Sequence, residues 1–315
     1  MILNLVPEFL DILAATDREA AYHSYLQRHR AMLTHYWRNY VIDPDSRAAA
    51  DIIRPTLAAD RRDLLRLVET VDLEQLAQDA LDAAAAVLLP DHELDVCLMV
   101  GVGAANAGEL VVGGRGVAVI CVEHFTGQAN PETFGLGLSP ELLPLWIGHE
   151  LAHVVRYCSP TSRADMRRLV AEAGGVYDCW ELASRASLRE LLVNEGIAVH
   201  ASRAAVPGHA EEAYLGFSRR QFRRLRELET FLARGAQDDL DHTGLGLRLR
   251  YLTGGMTPAA RLLHGRVLPE RSGYYLGARM AEALVMERGI AEAARAPASE
   301  FAEAESRRAQ QAASA

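Results

Sequence analysis

The chain has 315 residues, half of them hydrophobic, and carries a formal net charge of −9 at pH 7. A chain of this length can bury a sizeable core in one or two domains. The acidic balance, with a pI near 5.7, disfavours nucleic-acid binding, which requires a basic face. No stretch of about 18 uninterrupted apolar residues occurs, so we expect no membrane-spanning helix.

The N-terminal segment and the cysteines together indicate a cytoplasmic protein. The segment has no basic region, and Pro7, Glu8 and Asp11 interrupt its short apolar stretch, so it differs from a signal peptide. The cysteines are few and lack CxxC spacing; they are Cys97, Cys121, Cys158 and Cys179. We interpret them as reduced thiols.

The sequence pattern of the first half of the chain changes near residue 94, from one typical of helices to one typical of strands. Residues 1–90 place apolar side chains at helical spacing, which predicts an N-terminal helical region. The segments 94–102 and 108–125 are rich in valine and isoleucine and bounded by glycine. They predict strands, and the second segment is expected to fold into a hairpin at residues 113–116.

The second half predicts mostly helices. Ser139, Pro140 and Glu141 favour a helix start, because serine can cap, proline fits the first turn, and an early acid complements the helix dipole. Further helices are expected at about 163–172 and from Ser187 to about 288. The Ala-rich tail, residues 289–315, is predicted to be disordered or frayed helix. The predicted fold class is α+β and predominantly helical.

The predicted helix after Ser139 carries the sequence GHELAH. Residues four apart lie on one helix face, so His149 and His153 can each direct a nitrogen at one zinc ion. Glu150 is rotated away from that face and can act as general base toward a zinc-bound water. The alternative is a buried helix with two core histidines. A metal explains all three polar residues at once, since burying them without partners would be costly.

A catalytic zinc needs a third protein ligand, and a second helix offers one. Glu195 lies among apolar residues, where a buried carboxylate requires a counter-charge. Gly196 beside it is unfavourable within a helix and indicates close packing, which we expect against the GHELAH helix. We therefore predict Glu195 as the third ligand.

Other candidates for the third ligand stay open. Glu190 follows Ser187 at the spacing of a capping box, which gives its carboxylate a structural role. His200 lies on a different face of the same helix from Glu195. Cys158 and Cys179 are the remaining alternatives.

Three blocks of the chain together resemble a known family. "GHELAHVVR", "NEGIAVH" and "GYYLGARMAEALV" are similar to blocks of the YjaZ-like zinc-dependent peptidases, which are of the gluzincin type. The resemblance covers roughly residues 96–285. It implies a zincin-like catalytic domain at 91–288, with His149, His153 and Glu195 holding Zn²⁺ and Glu150 as general base. It also implies a small sheet and a helical C-terminal lobe.

The resemblance carries further expectations about the active site. A tyrosine near residue 274 would stabilise the oxyanion, and of Tyr274 and Tyr275 we prefer Tyr275. An edge strand between residues 109 and 124 would pair with an extended peptide. The acid that supports a histidine in thermolysin is replaced by Val199, so Asp178 or Asn194 would have to serve instead.

These features predict a zinc-dependent hydrolase of peptide bonds, acting on a peptide or protein substrate. One alternative is a zinc hydrolase of a small amide or ester, which the fold cannot distinguish. The other is a non-catalytic peptide-binding protein on the same scaffold, which would have no need of Glu150.

Overall fold

The computed structural model describes residues 1–254 and 257–314, and its fold is α+β with helices predominating, as predicted. Within the described residues, no helix is both long and apolar enough to cross a membrane. The main hydrophobic core extends along the chain from Leu5 to Ala304. The predicted N-terminal region and the segment after it therefore share this core.

A mixed four-stranded sheet lies at the centre of the fold, in the order β1-β2-β4-β3. Its strands are β1 (Ile2–Asn4), β2 (Asp95–Met99), β3 (Ala107–Val112) and β4 (Arg115–Cys121). The predicted hairpin is confirmed, because β3 and β4 pair antiparallel up to Val112 and Arg115. Strand β1 was not predicted: its three residues are too few to show an alternating pattern, and pairing with β2 defines it.

Six helices form the first part of the chain, and the first, third and sixth of them pack against the sheet. They are α1 (Val6–Ala14), α2 (Arg18–Arg28), α3 (Arg30–Tyr40), α4 (Ala49–Ala58), α5 (Arg62–Thr70) and α6 (Leu73–Leu88). The first three bury an aromatic cluster that includes Phe9, Tyr25 and Trp37, all fully inaccessible. Two short strands, β5 (Ala129–Asn130) and β6 (Gly135–Leu136), form a separate hairpin.

The GHELAH sequence lies in α7 (Leu143–Cys158), a helix buried along almost its whole length. Ser139 makes no side-chain cap; a 3₁₀ turn at Pro140–Leu142 precedes the helix instead. Gly116 of β4 allows the helix to approach, since a Cβ there would overlap Val154. The helix therefore packs closely against the sheet, and its polar side chains are buried.

The helices after α7 build the C-terminal half. They are α8 (Asp165–Glu172), α9 (Glu181–Arg185), α10 (Leu188–Ala205), α11 (Glu211–Tyr214), α12 (Arg219–Glu227), α13 (Glu229–Gln237) and α14 (Leu245–Leu252). A small hairpin of β7 (Leu262–Leu263) and β8 (Arg266–Val267) follows. The chain then forms α15 (Ser272–Arg288), α16 (Ile290–Ala293) and α17 (Ala298–Ser314).

Helices α10 and α15 cross with their backbones nearly in contact, at Gly196 and Gly277. A Cβ on Gly196 would overlap the carbonyl of Gly277, and one on Gly277 would overlap the carbonyl of Leu192. The prediction that Gly196 packs against the GHELAH helix is therefore wrong. The glycine admits α15 instead, and this crossing places the first turns of α15 beside Leu192 and Gly196 of α10, next to Glu195.

We expect Gly277→Ala to lower the free energy of unfolding by about 3 kcal/mol, the upper end for overpacked positions, because Leu192 backbone blocks the added methyl. Gly246→Ala is the matched control, since Gly246 lies in α14 and a Cβ there meets open space. That substitution should stabilise the protein by about 0.5–1 kcal/mol. Urea unfolding followed by circular dichroism compares the two. Wild-type stability in Gly277→Ala would contradict the close crossing.

The C-terminal segment, predicted to be disordered or frayed helix, is largely helical. Helix α17 packs along α15, and Phe301 and Ala304 are fully buried between them. Glu300 forms ion pairs with Arg163 and Arg288, which fix the start of the helix. The alanines that suggested low complexity are here the small residues that allow two helices to pack closely.

Candidate metal centre

Helix α7 places His149 and His153 one turn apart on its buried face. Their side chains are only 2 % and 3 % exposed, and their ring centroids lie 5.0 Å apart. Burial lowers the pKa of His149 to about 3, and the Arg271 charge acts in the same direction. The imidazole of His149 is thus neutral at physiological pH, the form that binds a metal.

Glu195 reaches the two histidines from α10. Its Oε2 lies 3.4 Å from Nε2 of His149 and 3.7 Å from Nε2 of His153. Ligands about 2.0–2.1 Å from a tetrahedral metal ion are separated by about 3.4 Å, so these two distances are compatible with a shared metal ion, and all three ligand atoms lie within 4.8 Å of one another. Oε2 is buried and accepts no hydrogen bond from the residues that the structure describes. A cation at this point would satisfy it.

Within the described part of the chain, His149, His153 and Glu195 are the group of side chains close enough to share a metal ion. His200 lies away from them, with its Nε2 2.8 Å from the carbonyl oxygen of Ala278. Cys179 donates its thiol to the carbonyl of Asn39. These two alternatives for the third ligand are thus engaged elsewhere, and Cys158 is outside the group as well.

Glu190 is also committed to another interaction. The hydroxyl of Ser187 accepts a hydrogen bond from its backbone N–H, as in a capping box. The carboxylate departs from that prediction: it forms a fully buried ion pair with Arg156, at 2.7 Å, and also accepts from the backbone of Met166. This ion pair ties α10, which carries Glu195, to α7, which carries the histidines.

Glu150 is buried and lines the same small cavity as His149, His153 and Glu195. Burial raises the pKa of its carboxyl well above the usual range, and the neighbouring charges of Glu109 and Glu195 add to the effect. Burial also raises the pKa of Glu195. A carboxyl with a raised pKa is a stronger base when ionised, as a proton-accepting role requires.

Glu109 of β3 lines the cavity and binds other side chains there, although it was not predicted as a site residue. Tyr157 donates a hydrogen bond to its Oε1 at 3.1 Å, and Tyr40 lies 3.1 Å from its Oε2. Asn194 in turn donates to the Tyr157 hydroxyl at 2.6 Å. The sequence did contain an indication of this role: Glu109 lies within a valine-rich strand, where a buried carboxylate needs hydrogen-bond partners.

The predicted support for the histidines is only partly present. The ring of Tyr157 stacks near His153, so Asn194 reaches that histidine through the tyrosine. Asp178 does not take part, because its carboxylate accepts from backbone N–H groups at the start of α9. Nδ1 of each histidine is buried without a hydrogen-bond partner among the described residues.

Only one of the two candidate tyrosines faces the cavity. The ring of Tyr274 stacks on that of His149, with centroids 6.2 Å apart and planes inclined by 16°. Tyr275 points away, and its hydroxyl donates to Glu229 at 2.6 Å. The preference for Tyr275 is thus wrong: successive helical residues differ by about 100° in direction, and Tyr274 has the inward one.

Two arginines that sequence reasoning missed lie beside the three candidate metal ligands. Arg248 of α14 lines the cavity, and its guanidinium lies 4.9 Å from the ring centre of Trp180. Arg271, directly before α15, stacks 4.4 Å from the ring centre of Tyr274. Its backbone has a positive φ of 55°, an unusual conformation for a residue other than glycine.

The cavity is small and covered. Its volume of about 100 Å³ corresponds to roughly three water molecules. Strand β3 is an edge strand, as expected, but its outward carbonyls are occupied: Glu109 O by the Tyr40 hydroxyl at 2.9 Å, and Val111 O by the Tyr177 N–H at 3.0 Å. The expectation of a free edge for peptide pairing is therefore wrong for this conformation.

No protein-family model matches this chain, and neither does any curated protein or solved structure. The resemblance to the YjaZ-like peptidases therefore stays a prediction carried by its three sequence blocks.

Proposed function

We propose that the protein is a zinc-dependent hydrolase that cleaves peptide bonds. The observation that carries the proposal is the spacing of the three ligand atoms of His149, His153 and Glu195, with Glu150 buried beside them. Zinc, when bound there, would polarise a carbonyl and lower the pKa of a coordinated water to about 7.

The remaining chemistry falls to side chains around the metal. Glu150 would take the proton of the attacking water and deliver it to the departing amine, a shuttle that suits a buried carboxylate of raised pKa. Tyr274 would donate a hydrogen bond to the carbonyl oxygen as negative charge develops on it. The low-dielectric surroundings strengthen both interactions.

A second candidate is hydrolysis of a small amide or ester at the same centre. The small cavity volume of about 100 Å³ favours it, since a small substrate needs less room than an extended peptide. A panel of extended peptides beside small amides and esters, assayed with zinc-loaded protein, distinguishes the two candidates by which class is turned over.

The metal centre itself is tested by zinc content. The wild type is expected to hold about one zinc per chain after dialysis against trace zinc. Glu195→Ala should lose most of it, because two histidines alone leave the coordination incomplete. Glu181→Ala, which removes an exposed helical glutamate, is the matched control and should bind as the wild type does.

Mass spectrometry of native protein or atomic absorption reads the result. Equal zinc in wild type and Glu195→Ala would assign the third ligand to another residue. A wild type without zinc after reconstitution would refute the metal centre.

A further inference from the structure

Arg248 and Arg271 carry positive charge beside the candidate centre, where the carboxylates of Glu109, Glu150 and Glu195 act on them only at a distance. Among the described residues, neither guanidinium donates a hydrogen bond or forms an ion pair; Arg248 stacks on Trp180, and Arg271 stacks on Phe217 and Tyr274. Nη1 of Arg248 is buried and has no hydrogen-bond partner in the described part of the chain. Arg250, two residues along α14, also has a buried Nε without a partner there, but its charge is compensated by an ion pair with Asp239 at 3.0 Å.

A buried guanidinium with open donors is costly to maintain unless a ligand uses them. The fork of N–H groups on arginine matches a carboxylate, which can accept two parallel hydrogen bonds. The Trp180 ring stacks on one face of the Arg248 guanidinium. This leaves the N–H donors at the edge of the guanidinium for such a partner.

The charges around the cavity also favour an anion. Three carboxylates face it or act on it, those of Glu109, Glu150 and Glu195. Two guanidiniums and a divalent metal would outweigh them by one positive charge. Glu109 acts on Arg248 without forming an ion pair with it among the described residues, and its Oε1 accepts a hydrogen bond from Tyr157.

We propose that this hydrolase selects substrates with a carboxylate close to the scissile bond, and that Arg248 binds that carboxylate with Arg271 assisting. The inference rests on the proposed function, because it names the substrate class of the same centre. The carboxylate can be the C-terminus of a peptide or the side chain of an acidic residue. Both present the same planar anion, so the experiment separates them.

Binding is measured by calorimetry in a Glu150→Gln background, which prevents turnover. Two pairs of peptides are compared on zinc-loaded protein. The first is acetyl-Ala-Ala with a free C-terminus against its amide, and the second is acetyl-Ala-Glu-amide against acetyl-Ala-Gln-amide. We expect the charged member of one pair to bind at least about tenfold more tightly, as charge-assisted hydrogen bonds do.

Arg248→Met should reduce that preference to less than about threefold. Arg250→Met is the matched control, with an arginine from the same helix removed, and should keep the full preference. A preference in the first pair assigns the C-terminal carboxylate, and one in the second pair assigns an acidic side chain. Circular dichroism of each variant verifies folding.

The inference is overturned if neither pair shows a preference, if none of the four peptides binds, or if the preference survives in both Arg248→Met and Arg271→Met. Zinc content of the same samples separates the two proposals. Bound zinc without a carboxylate preference refutes only the inference. Absent zinc refutes the proposed function, and the four peptides still report on the arginines.

Discussion

Replacing Glu150 with glutamine is expected to leave zinc binding intact and to lower kcat by about 10²- to 10⁴-fold, the usual contribution of general acid–base catalysis. Glutamine has the shape of glutamate but cannot accept the proton of the attacking water. Glu150 is not part of the group of side chains that share the metal position, so its loss should not release the ion. Removing a buried charge next to Glu109 and Glu195 should not weaken folding either.

Zinc content and steady-state kinetics on the same preparation test this expectation. His153→Gln is the informative comparison, because it should lose the metal and the activity together. Loss of zinc in Glu150→Gln would make Glu150 a ligand, and full activity would assign the base to another residue. A zinc-loaded wild type that hydrolyses nothing would favour the non-catalytic alternative, in which the helix pair is only a scaffold.

The largest stability effect is expected at the buried ion pair of Arg156 and Glu190. Both side chains are completely inaccessible, and Glu190 Oε2 lies 2.7 Å from the Arg156 Nη2. Glu190→Ala should lower the free energy of unfolding by about 3–5 kcal/mol, because it leaves an uncompensated guanidinium in the core. The carbonyls of Ala294 and Ala296 would still accept from Arg156 but cannot neutralise its charge.

Chemical denaturation of three variants tests this effect. The double variant Arg156→Met/Glu190→Leu should recover much of the lost stability, since apolar residues of similar size often replace a buried pair at little cost. Glu172→Ala breaks two solvent-exposed pairs, with Arg168 and Arg185, and should change stability much less. A small effect of Glu190→Ala, similar to that of Glu172→Ala, would show that water reaches the pair.

The local features of the candidate site could be predicted from the sequence, but few of its tertiary contacts could. Four-residue spacing defines a helix face, so His149 and His153 could be paired from the sequence alone. Glu195 followed from a second argument, the cost of a carboxylate among apolar neighbours. Both arguments depend only on residues close together in the chain.

The errors arose where distant segments meet. Gly196 correctly indicated close packing, but a glycine does not specify which helix approaches, and that helix was α15. The sequence could not decide which of Tyr274 and Tyr275 faces the cavity, because the rotation of α15 about its axis is fixed by that same crossing. Arg248 and Tyr40 belong to elements that reach the cavity only through tertiary packing, so no spacing pattern identified them.

The cover over strand β3 has a consequence for how the protein would behave in a cell. Asn39 of α3 holds the covering segment by bonds to the backbone of Tyr177 and Cys179. An extended peptide can pair with β3 only in molecules where this cover has moved away. Its apparent affinity is then the intrinsic affinity reduced by the open fraction of the population. Such latency would spare most cellular polypeptides, and any factor that stabilises the open form would act as an activator without touching the metal.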